Sequence, residues 1–65
     1  MVQNWNGKDI RELRKRYQFS QEAFGKLLGV SRNYIHLLEK GVRKPSKTLE
    51  LLLDFNKQKL IEKGE

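Results

Sequence analysis

Arg32, Asn33 and His36 are the residues whose types and spacing carry the most specific chemistry in this chain. On a helix, positions three and four apart lie on one face, and Asn33 and Arg32 stand three and four residues before His36, so these three side chains can share one outward sector. A guanidinium donates bidentately to O6 and N7 of guanine, and a carboxamide pairs with N6 and N7 of adenine. The sector therefore has the donors and acceptors to read base edges. His36 is weighed between base contact, an exposed site without a role, and metal binding. The chain has no cysteine and no second histidine, so a metal cluster and any cofactor are not expected. Glu22, Glu39 and His36 are ionisable, yet no spacing converges them on one substrate, so an enzyme is not expected either.

These residues need an element that holds their sector outward, and the segment from Ser20 to Gly41 supplies it. Ser20 and Ser31 are placed as N-caps, Gly41 as a left-handed helix end, and Gly29-Val30 as a turn. A helix from Gln21 to about Leu28 and another from Arg32 to about Lys40 must then cross steeply. That is a helix-turn-helix pattern, whose second helix is shaped for a major groove. Gln21 opens the first of the pair, where its amide and free backbone N–H groups can meet a phosphate; the bland reading is an exposed first-turn glutamine. Tyr34 stands at the edge of the reading sector, with phosphate contact through its hydroxyl and packing against the turn as equal alternatives. Gly25 costs helix propensity, an expense explained if the second helix crosses closely there.

Before this unit, a helix is expected from about Asp9 to Tyr17, capped by Asp9 or Asn6, with residues 1–8 as an arm. Trp5 in that arm either folds back as a packing anchor or reaches the nucleic acid beside the cationic helix. Ile10, Leu13, Arg14 and Tyr17 recur on one face, and Phe19 is expected to drop its ring into the core. Arg14 is out of place on an apolar stripe, and Glu39 is out of place near a helix C-terminus. Pairing them resolves both, so an Arg14–Glu39 ion pair is predicted as an architectural clip. The remaining cations of this helix, Lys8, Arg11, Lys15 and Arg16, are either a solvated face or phosphate contacts.

After Gly41, Arg43, Lys44 and Lys47 form a cationic patch around Pro45, suited to clamping phosphates. Ser46 caps a fourth helix over about 47–56. Leu49, Leu52 and Leu53 are expected to close the core, while Leu51 and Phe55 face another way. That surplus is covered either by the C-terminal segment through Leu60-Ile61 or by a second protomer; the second is favoured, and with Leu60 and Ile61 it predicts a homodimer interface. The same residues would serve a protein-interaction or antitoxin-like module that binds a partner and keeps DNA binding for autoregulation. Residues 9–56 are thus the expected domain, and 57–65 a tail or helical extension.

Size and charge agree with this picture. Sixty-five residues make one domain with a modest core. Fourteen Lys and Arg against 8 Asp and Glu give a formal net charge of +6, which favours a polyanionic partner. There is no apolar run long enough for a membrane span and no signal-peptide core at the N-terminus, so a cytoplasmic protein is expected.

From Ile10 to Phe55 the chain resembles the Cro/C1-type repressor helix-turn-helix family. The residues that carry the resemblance are Leu13-Arg14, Ser20-Gln21, Gly29-Val30-Ser31, Ile35, Glu39, Gly41 and Pro45. It implies an all-α, compact bundle of four or five helices, a lambda-repressor-like DNA-binding domain, often dimeric, repressing or autoregulating promoters at inverted-repeat operators. It also implies DNA contacts by Gln21, Ser31, Arg32, Asn33 and His36, and a structural Arg14–Glu39 pair. Gly25 stands where the family usually has alanine, and Phe24 is bulkier than its common leucine. Shortness and basicity resemble small phage or mobile-element regulators.

Overall fold

The computed structural model describes residues 5–63, with side chains described from Trp5 to Lys59. Four helices appear among them: α1 over Gly7–Tyr17, α2 over Gln21–Leu28, α3 over Arg32–Lys40 and α4 over Lys47–Lys63. The described residues contain no strand. The fold is an all-α, four-helix bundle, the lower of the two helix counts expected.

Side-chain caps set the starts of all four helices. Asn6 Oδ1 accepts from the Asp9 N–H at 2.8 Å, and the Ser20, Ser31 and Ser46 hydroxyl oxygens accept from the Ala23, Tyr34 and Leu49 N–H groups at 3.1 Å each. Each satisfies a first-turn donor that the helix itself leaves without a carbonyl. Asn6 rather than Asp9 is therefore the first cap, and Gly7 and Lys8, expected in the arm, are the first two residues of α1. The first three helices stop at left-handed residues, Gln18, Gly29 and Gly41. At Gly41 the chain closes a Schellman motif, with Val42 N–H donating to the Leu37 carbonyl and Gly41 N–H to that of Leu38. Gln18 makes the same turn at φ 59°, and it is the only non-glycine residue at positive φ among the described residues.

The core gathers Trp5, Ile10, Leu13, Phe24, Leu28, Ile35, Leu38, Leu49 and Leu53, each buried. Tyr17, Phe19, Val30 and Tyr34 pack against its edge, and the Tyr17 and Phe19 rings stack with centroids 5.3 Å apart. Phe19 therefore borders the core and does not enter it. Trp5 resolves as the packing anchor: its ring is buried and Nε1 donates to Asp54 Oδ1 on α4 at 2.9 Å.

Two leucines lie outside the core, Leu52 against expectation. Leu52 and Leu27 are 40% and 43% exposed. In α4 the buried face runs through Leu49, Leu53 and Asn56, which leaves Leu52 on the rim. Asn56 can occupy a buried position because its polar groups are paired. Its Nδ2 donates to the Leu52 backbone carbonyl at 2.8 Å, and the Asn56 backbone carbonyl accepts from the Tyr17 hydroxyl at 2.7 Å. Burial raises the Tyr17 pKa above its ordinary value. Continuing past Asn56, α4 runs to Lys63.

Candidate nucleic-acid interface

The α2–turn–α3 unit is packed so tightly that one position tolerates no side chain. A Cβ on Gly25 would lie 2.6 Å from the Val30 carbonyl oxygen and 3.3 Å from Ser31 backbone atoms. The glycine lets the turn fold directly onto α2, and its own carbonyl accepts the Val30 N–H at 2.8 Å. This close approach offsets the propensity cost, although the neighbour is the turn leading into α3 and not the body of α3. Ile35 and Leu38 are buried on the inner face of α3, which turns Arg32, Asn33 and His36 outward.

Those three outward residues meet Gln21 around one shallow depression. The start of α2 and the first two turns of α3 thus present one continuous polar surface. A second depression adjoins it, lined by Arg11, Arg14, Gln21, His36, Glu39 and Lys40, so Gln21 and His36 border both. Arg11 and Lys40 extend the cationic character of the face onto α1 and down α3. Lys40 was not identified from the sequence, although it stands four residues beyond His36, a spacing that places it on the same side of the helix.

Behind this face lies the predicted ion pair. Arg14 Nε donates to Glu39 Oε2 at 2.6 Å and Nη2 to Oε1 at 3.1 Å, while Nη1 donates to the Phe19 carbonyl at 3.0 Å. The side chains are only 15% and 7% exposed. A fork that fills both carboxylate oxygens and a backbone carbonyl ties α1, the α1–α2 connection and α3 together. Gln21 joins it, with Nε2 donating to Glu39 Oε1 at 3.2 Å.

The other expected contact residues do not line these two depressions. Ser31 and Lys47 are exposed and Tyr34 is half-buried against the core. Arg43 and Lys44 line a different depression with Trp5, Asn6, Gly7, Gly41, Pro45 and Glu50, near the start of α1 and the end of α3. The structure therefore groups Gln21, Arg32, Asn33 and His36 in one place and sets the loop cations apart from them. Leu51 and Phe55 are 52% and 62% exposed on α4, while the side chains of Leu60 and Ile61 lie outside those described.

A family model for the helix-turn-helix matches residues 10–54, well over half of the chain. The chain belongs to the Cro/C1-type helix-turn-helix family. No curated protein and no solved structure matches the chain significantly. Membership makes this a DNA-binding transcriptional regulator; in helix-turn-helix proteins generally, the second helix of the unit enters the major groove. No described helix is long and apolar enough to cross a membrane.

Proposed function

We propose that this helix-turn-helix protein is a sequence-specific regulator that represses promoters, its own among them, by binding an inverted-repeat operator as a homodimer. The observation that carries the reading is the convergence of Arg32, Asn33 and His36 with Gln21 on one exposed face. Arg32 and Asn33 read base edges from the first turn of α3, and His36 adds a contact one turn on. Gln21, Ser31 and Tyr34 hold the flanking phosphates, and Arg43, Lys44 and Lys47 clamp the backbone farther out. A net charge of +6 draws the protein to DNA and makes its affinity fall with salt. A dimer formed through Leu51 and Phe55, extended by Leu60 and Ile61, would present two reading helices to successive major grooves and exclude polymerase. Such a regulator works where the genome is, in the cytoplasm.

The exposure of Leu51 and Phe55 favours one other reading, an antitoxin-like module that covers this face with a partner protein and uses its DNA binding for autoregulation. Selection of genomic fragments with the purified protein, in competition with excess nonspecific DNA at roughly 0.15 M salt, tests the first reading, while a stable heterocomplex purified without DNA and lost on altering Phe55 would favour the second. An enriched inverted repeat is expected. A single half-site would remove the homodimer, and no enrichment by folded protein would remove sequence-specific recognition.

A further inference from the structure

We propose that Glu39 is a positioning residue for DNA docking: its buried carboxylate fixes the orientation of the Gln21 amide so that one amide N–H is held inward and the other faces the phosphate. The proposal rests on Gln21 being a phosphate contact. Three observations carry it. The Glu39 side chain is only 7% exposed, and its plane is set by the two donors of Arg14, whose third bond anchors the guanidinium to the Phe19 carbonyl. Glu39 Oε1 accepts from Gln21 Nε2 as well as from Arg14. Gln21 also lines both depressions of the reading face, so its amide sits between the buried pair and the surface.

The orientation follows from hydrogen-bond chemistry. An ionised carboxylate only accepts, whereas a carboxamide has a donating end and an accepting end. Beside a carboxylate already locked by arginine, Gln21 turns its NH2 inward and its carbonyl oxygen away; the opposite flip would set two oxygens against each other. With one N–H committed to Glu39, the second is left to donate at the mouth of α2. The first-turn backbone N–H groups of α2 point toward the same anion. Glu39 also belongs to α3, the helix that carries Arg32, Asn33 and His36. One carboxylate therefore ties the phosphate dock on α2 to the reading residues on α3, and holds their relative placement before DNA arrives.

Two measurements test this, both on the full chain and on a duplex enriched by the genomic selection. In the first, affinity is measured for the wild type, Glu39→Gln, Gln21→Met and the double variant. A glutamine at 39 offers Gln21 either an oxygen or an NH2 and no longer dictates the flip. Glu39→Gln is expected to weaken specific binding by roughly three- to tenfold, the range of one hydrogen bond. In the Gln21→Met background the same change is expected to cost less than about twofold. Equal losses in both backgrounds would show that Glu39 acts on the fold alone and overturn the proposal. Unchanged affinity in Gln21→Met would instead overturn the phosphate role of Gln21.

The second measurement needs no variant, and so decides the matter even where Glu39→Gln does not fold. In wild-type protein the Gln21 side-chain NH2 is followed by NMR. One proton is expected to be shifted downfield and protected from exchange, before and after DNA is added, while the other moves on binding. Loss of protection on adding DNA would mean that Gln21 leaves Glu39 to reach the phosphate, and the proposal would fall.

Discussion

Gly7, at the start of α1, lies so close to the end of α3 that a Cβ there would come within 2.5 Å of the Glu39 carbonyl oxygen and 2.7 Å of the Leu38 carbonyl oxygen. Both neighbours are backbone, so no rotamer change can make room. Gly7→Ala is expected to lower stability by about 1–3 kcal/mol, despite alanine's higher helix propensity, because α1 and α3 must separate. Thermal unfolding checks this, and a midpoint at or above that of the wild type would refute the close contact.

Arg14→Ala removes three donors and leaves the Glu39 carboxylate buried beside an unmatched Phe19 carbonyl. Breaking a buried pair in this way costs about 3–5 kcal/mol. For a domain of this size that is a large share of the available stability, so urea titration should find the midpoint far below that of the wild type. A well-folded variant with a selective DNA defect would contradict the clip.

Gln18→Gly should stabilise the protein. Gln18 is exposed at φ 59°, a conformation that strains an L side chain and suits glycine, and its role in closing α1 is carried by its backbone N–H. A gain of about 0.5–1 kcal/mol in chemical denaturation is expected, after the larger entropy of glycine in the unfolded chain is offset. A loss would mean that the glutamine side chain contributes to the cap.

Tyr17→Phe separates a hydrogen bond from a titration. Near neutral pH the loss of the bond to the Asn56 carbonyl is expected to cost about 1 kcal/mol. Burial raises the folded-state pKa of Tyr17 above 10.0, so the neutral phenol is favoured in the native protein. Its contribution is complete below about pH 10 and is lost as pH rises through the folded-state value. The stability difference between wild type and Tyr17→Phe should therefore shrink above about pH 10. A pH-independent difference would show that the phenol titrates alike in both states.

Arg32→Ala and Asn33→Ala each remove an exposed side chain from the outward face of α3. Stability should change by no more than about 0.5 kcal/mol. Discrimination between the selected operator and a scrambled duplex should fall by about 1–3 kcal/mol, the worth of a bidentate base contact. Competition binding at fixed salt measures this directly, and unchanged discrimination in both variants would remove α3 as the reading element.

Local chemistry made much of this legible. The serine caps, the glycine ends and the Arg14–Glu39 pair follow from a few neighbouring residues or from a charge mismatch that has one economical solution. The features missed depend on where distant elements meet. Gly7 reads as a turn former until the end of α3 is placed against it. Asn56 reads as the end of a helix until Tyr17 reaches its carbonyl. Around α4, Leu49, Leu51, Leu52, Leu53 and Phe55 offer apolar side chains in several directions, so periodicity could not choose between burying Leu52 and burying Asn56. At the reading face, residue type and helical spacing marked Arg32, Asn33 and His36, whereas the bond from Gln21 to Glu39 required the crossing of α2 and α3.

The bond from Trp5 to Asp54 spans 49 residues, and that from Tyr17 to Asn56 spans 39; both end on α4. Closing such long loops costs chain entropy that the local α2–turn–α3 unit does not meet. Folding should accordingly order the reading unit first, with α4 arriving late to seal it. Trp5 is the only tryptophan, so its intrinsic fluorescence is a built-in clock for that last event: it follows the docking of α4 against the segment before α1, at the opposite pole of the folding sequence from the surface proposed to meet DNA.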